Sequence, residues 1–107
     1  MANDFKNAQA VGVTTVTTIY TAPAGKDSII LELDIANTTN GAVTASAELV
    51  DTSAGTDAFI VKDAPVPAGG SLQVVSGQKI IVEATDIVRV TASGACDVIC
   101  SILEDVN

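Results

Sequence analysis

Apolar and polar residues alternate along most of this chain, in short runs separated by Gly, Pro, Asn and Asp. The clearest run sets Ile29, Leu31, Leu33 and Ile35 against Ser28, Ile30, Glu32 and Asp34. Successive side chains of a strand point to opposite faces, so the pattern predicts a strand with its odd positions inward. Val43, Ala45, Ala47 and Leu49 repeat the alternation against Thr44, Ser46 and Glu48. Between the two runs, residues 37–41 read as a turn in which Asn40-Gly41 accepts positive φ, so a hairpin is expected.

The other runs are shorter. β-Branched residues from Val11 to Thr21 favour extended backbone. Phe59 and Val61 read as a short strand facing the core, ended by Lys62-Asp63. Residues 64–70 carry two prolines, which excludes them from a central strand. Leu72 and Val74 begin a strand that Ser76-Gly77 turns, and Ile80 and Val82 follow. Val88, Val90 and Ala92 alternate with Ile87, Arg89 and Thr91. In the last run Cys96, Val98, Cys100 and Ile102 share a face opposite Asp97, Ile99, Ser101 and Leu103. Pro23-Ala24-Gly25 and Pro67-Ala68-Gly69 are the same turn chemistry used twice. About eight strands spaced by turns predict an all-β fold: a single-domain antiparallel β-sandwich, jelly-roll or Greek-key-like. Residues 1–9, polar except for Phe5, read as an N-terminal arm, and residues 10–107 as the sandwich domain.

Alternation leaves a surplus. Ile30, Val50, Ile60, Val75, Ile81, Ile87, Ile99 and Leu103 all fall on positions assigned outward. Apolar patches of that extent mark interfaces. Phe5, Ile30, Ile60, Ile81 and Ile99 are the expected contacts with other copies, in a homo-oligomer expected to be a trimer.

Composition narrows the function classes. The chain has 107 residues, 48% of them hydrophobic but only 3% aromatic, so small branched side chains must fill the core. With a net charge of −8 and five scattered basic residues, there is no basic stripe to neutralise phosphates or anionic lipid. Neither nucleic acid nor membrane is an expected partner. No apolar run approaches the ~20 residues of a membrane span. Residues 1–9 lack a hydrophobic signal core, so synthesis in a cytoplasm without a cleaved signal is expected.

Candidate chemistry is sparse. Without histidine there is no Ser/His or Cys/His couple. Glu32 and Asp34, with Glu48 on the neighbouring run, read as a solvated sheet face. Cys96 and Cys100, four apart in one strand, are ~13 Å from each other, beyond disulfide reach. They read as buried core thiols. The loop at residues 51–57 offers oxygen ligands without EF-hand spacing and reads as a surface loop. Gly69-Gly70 is followed by neither the Lys-Ser/Thr nor the helix of a phosphate loop. Asn37-Thr38-Thr39 matches a glycosylation sequon, but a turn explains the same residues. An enzyme is not expected, and no cofactor or metal is expected.

Two groups of segments resemble small virion proteins of tailed bacteriophages. The first is Tyr20-Thr21-Ala22-Pro23-Ala24-Gly25-Lys26 with Ile35-Ala36-Asn37-Thr38. The second is the run of residues 60–72 (IVKDAPVPAGGSL) with Val88-Arg89-Val90-Thr91-Ala92-Ser93. The similarity spans roughly residues 16 to 103. It implies a β-sandwich of the virion, made in the host bacterial cytoplasm, with no catalytic residues. Such proteins decorate capsids, build head fibres or sit at the neck and tail. The leading expectation is a capsid decoration or cement protein, whose partners are itself and the major capsid protein or another virion protein. The alternatives are a neck, tail or fibre component in host attachment, and a carbohydrate- or calcium-binding module.

Overall fold

Alternating branched aliphatic residues commit the chain to strands, and among the described residues there is no helix. The structure is a computed structural model and describes residues 3–105. Its strands are β1 (Asp4–Val13), β2 (Thr17–Thr21), β3 (Ser28–Asn37), β4 (Val43–Asp51), β5 (Thr56–Val66), β6 (Ser71–Val82), β7 (Ile87–Ala92) and β8 (Cys96–Glu104). Two antiparallel four-stranded sheets form, sheet A in the order β1-β8-β3-β6 and sheet B in the order β2-β7-β4-β5. This is the jelly-roll order, an eight-stranded double-sheet arrangement. The inner faces close on Leu33, Ile35, Ala47, Val66, Val75, Val82, Val88, Val90 and both cysteines, all fully buried.

The expected β3–β4 hairpin does not form, because the two strands lie in different sheets. Asn37 is the reason. Its side chain is 2% exposed, and its amide donates to the carbonyls of Gly41 (2.8 Å), Val66 (3.0 Å) and Pro67 (3.2 Å). Its Oδ1 accepts from the Thr39 backbone N–H and hydroxyl. Residues 37–41 are thereby tied to the β5–β6 corner, and the chain crosses between layers there. The amide of the sequon asparagine is consumed inside the fold.

Bulges correct the parity of the sequence reading. In β3 the register with both neighbours shifts between Ile30 and Glu32. One extra residue reverses the alternation. Ile30 therefore enters the core at 1% exposure, whereas Ile29 and Leu31 turn outward, half-buried. In β6, Val74 and Val75 are both buried beside a second shift between Leu33 and Asp34. In β5, Phe59 is 50% exposed and lies beneath the Lys62 ammonium at 5.4 Å, not in the core. β5 runs on through Pro65 because it is an edge strand, where a missing donor is tolerated. Gly77, at φ 97°, bends β6 without ending it.

At the N-terminus, the boundary expected at residue 9 falls inside β1. Asp4 to Ala10 pair residue by residue with Glu104 to Val98 of β8. Met1 and Ala2 lie outside the described residues. The repeated Pro-Ala-Gly turns are alike in the fold: Lys26 N–H donates to Pro23 O and Gly70 N–H to Pro67 O, with Gly25 and Gly69 at positive φ. Each launches a strand of sheet A, and those two strands, β3 and β6, pair.

Candidate interaction surface

The outer face of sheet A carries an apolar row one residue per strand. Phe5 of β1 opposes Leu103 of β8, Leu103 opposes Ile29 of β3, and Ile29 opposes Ile81 of β6. Adjacent strands sit ~4.8 Å apart, so the row is about 14 Å long. Its ends are its most exposed members, Phe5 at 79% and Ile81 at 59%. An open groove of about 310 Å³ runs beside Phe5, lined also by Lys6, Asn7, Leu31 and Ser101. Further along the same face Ile99, 50% exposed, stands between Gln9 and Asp34, and Asp34 opposes Gln73.

Of the five expected contacts, the structure places Phe5, Ile81 and Ile99 together on this face. Ile30 is withdrawn into the core by the bulge. Ile60 is half-buried in β5 of the other sheet, packed against the core. Ile29 was not among the expected contacts, and a trace of it was present: Ile29-Ile30-Leu31 are consecutive apolar residues, which strict alternation cannot place on one face.

A polar cluster lies behind the row, on the inner side of sheet A. Glu104 is 6% exposed and takes two partners, Tyr20 O–H at 2.6 Å and Lys6 Nζ at 2.7 Å. The Lys6 hydrogen bond, then that of Tyr20, holds its carboxyl below the usual range. Burial, then the Glu104 hydrogen bond, pushes the Tyr20 phenol up to about 12, so it remains a donor at neutral pH. Tyr20 O–H also meets Ser28 Oγ at 2.9 Å. One cluster thus joins β1, β2, β3 and β8. On the outer face, Asp34 Oδ1 is buried without a hydrogen-bond partner. Burial, then the adjacent Glu32, raises its carboxyl to about 6.

Elsewhere the carboxylates have structural work. Glu48 lies in sheet B, away from Glu32 and Asp34, and pairs with Arg89 (Nε–Oε1 3.0 Å), which also reaches Asp57 at 3.0 Å. In the 51–57 loop, Asp51 Oδ1 accepts from Ser53 Oγ and Ala54 N–H, closing its own turn. Asp51, Glu83 and Asp86 bring carboxylate oxygens within 4.8 Å of one another. Asp86, however, spends its oxygens on the backbone N–H groups of Thr52 and Glu83, as a loop tie. The three aromatics do not converge: Phe5 lies on sheet A, Phe59 on the edge of sheet B, and Tyr20 is held by Glu104 and Ser28.

No protein-family model matches the chain, and no curated protein does. A solved structure does. It is a chain of the Bacillus endospore appendages, a novel family of disulfide-linked pili, at 20% identity and a TM-score of 0.54. The match covers 98% of this chain and 93% of that one. At this identity the likeness is one of fold. The cysteines here are free, fully buried and directed into the sandwich from β8. Burial, then the charge of Asp34, raises the Cys100 thiol to about 12, which keeps it protonated and unreactive.

Proposed function

We propose that this chain is a non-enzymatic structural subunit that assembles with copies of itself. The observation that carries the reading is the row Phe5–Leu103–Ile29–Ile81, a band of apolar side chains on the outer face of a rigid sandwich. Water contact at this band is unfavourable by roughly 25 cal/mol per Å², and a second protein surface relieves it. The finer reading is a capsid decoration or cement protein of a tailed bacteriophage, placed as a trimer over the joints between capsomers. There it adds buried area that holds the shell against internal pressure. The sequence resemblance supports that setting.

A second reading is a subunit of a bacterial surface fibre, favoured by the fold likeness to the endospore pili. The buried cysteines separate it from a disulfide-linked construction of that kind. Electron microscopy of the purified protein, alone and mixed with empty phage shells, tests both. Decorated shells support the cement reading and filaments the fibre reading. A protein that neither coats shells nor associates with itself overturns the proposal.

A further inference from the structure

We propose that β1 is an exchangeable strand: in the assembled form, β1 of one copy pairs with β8 of another. The inference rests on the self-assembly reading and supplies its connection.

β1 occupies the edge of sheet A, and β8 is its one partner in the ladder. It is anchored weakly for a strand of 10 residues: of its side chains only Val13, at the hinge end, is buried. The residues over the β8 inner row are small, Ala8 facing Cys100 and Ala10 facing Val98. Phe5 and Val11, its large apolar residues, are 79% and 80% exposed. The register breaks between Ala10 and Val13, and inside that break Gly12 holds φ 67° with open space around it. A glycine at positive φ, followed by residues 14–16 outside any strand, gives a pivot between β1 and β2.

The occupant of a vacated β8 edge follows from the same contacts. Among the described residues, the polar bonds of β1 run to β8: the ladder, the Lys6–Glu104 ion pair and Gly12 N–H to Asp97 Oδ1 at 3.1 Å. A second copy's β1 reproduces all of them. Exchange therefore keeps these bonds and alters their connectivity, the condition under which swapping is a low-cost route to oligomers. Unpaired, β8 would present an open edge beside Ile99 and Leu103, a template for another strand.

The Lys6–Glu104 pair gives the test. Chains carrying Lys6→Glu and chains carrying Glu104→Lys each face like charges within one molecule. In an exchanged heterodimer both contacts become opposite-charge pairs. The two variants, one tagged, are refolded separately and together at high concentration and read by native mass spectrometry. Mixed dimers at least several-fold above the statistical share are expected, and a statistical mixture overturns the exchange. A second variant covers loss of folding. Ala8→Cys in a Cys96→Ala background places a thiol opposite Cys100, within disulfide reach across an antiparallel pair. Covalent dimers or ladders on a non-reducing gel are expected after refolding at high concentration. Absence of any bond between chains overturns the exchange. If light scattering still shows oligomers, self-assembly stands without exchange; a monomer at every concentration removes both.

Discussion

Tyr20 of β2 reaches across the end of the sandwich to Glu104 of β8, hydroxyl to Oε2 at 2.6 Å, and so joins sheet B to sheet A. The same carboxylate holds Lys6 of β1 at 2.7 Å. Tyr20→Phe leaves Ser28 Oγ and Glu104 short of a partner, and a loss of about 1–2 kcal/mol is expected in urea unfolding at pH 7. The pH dependence has a definite sign. The Glu104 carboxyl is depressed in the fold. Its contribution is present above the unfolded carboxylate value and disappears as pH falls through the folded one. Unfolding midpoints measured from pH 6 down to pH 3 should fall less steeply in Lys6→Met than in the parent. The Tyr20 phenol is shifted upward, to about 12, so its contribution is lost as pH rises from about 10 through that value.

Asp34 runs the other way. Its carboxyl is raised to about 6 with Oδ1 unpartnered, so the fold favours the protonated acid. The folded state binds more protons between the ordinary carboxylate value and that raised one, and stability declines as pH rises across this window. The neighbours facing it are Glu32 on its own strand, Gln73 of β6, and Ile99 of β8, with Cys100 beneath; none is a cation. Asp34→Asn should stabilise by about 1 kcal/mol above pH 7 and have little effect near pH 4, read as the melting-temperature difference at the two values.

Asn37 and Gly94 fix the corners. Asn37→Ala strands the buried Val66 carbonyl, and a loss of about 1–3 kcal/mol is expected. Asn37→Asp should lose more, because it sets a buried, acceptor-only carboxylate oxygen against three carbonyl oxygens. At Gly94 an added Cβ would stand 2.6 Å from Val43 Cγ1, so Gly94→Ala should destabilise by roughly 1–3 kcal/mol through overpacking. Thermal melts of the three variants check both statements.

The cysteines make a chemical prediction. Both are fully buried on β8 and both thiols are raised by burial. A thiol reagent should label them in denaturant and only slowly in the native protein. Oligomers should survive reductant, and their dissociation by it would place the cysteines at the interface instead.

The all-β sandwich was legible because alternation, turn residues and proline placement are local signals. The Pro23 and Pro67 turns, the exclusion of residues 64–70 from a central strand and the burial of Cys96 and Cys100 all follow from such signals, whereas the continuation of β5 to Val66 does not. The placing of β3 and β4 in different sheets was not legible, since Asn37 acts through carbonyls 29 and 30 residues away. Bulges hid the rest. One inserted residue at the Ile30/Glu32 shift sent Ile30 inward and Ile29 outward, so the apolar row could not be assembled from parity alone. β1 was read as an arm because its side chains are mostly polar, yet its backbone completes sheet A. An edge strand needs ladder bonds more than it needs a buried face.

The proposed self-assembly joins copies of this chain through the outer face of sheet A. Light scattering across a range of concentrations, on the parent and on Phe5→Ser/Ile81→Ser, decides it. Both residues are exposed, so the double variant should keep the parent's melting temperature within about 2 °C. The parent is expected to associate as concentration rises, and the variant to need at least about tenfold more protein for the same mean mass, an effect of about 1.4 kcal/mol. A parent that stays monomeric, or a variant that associates equally well, would contradict it.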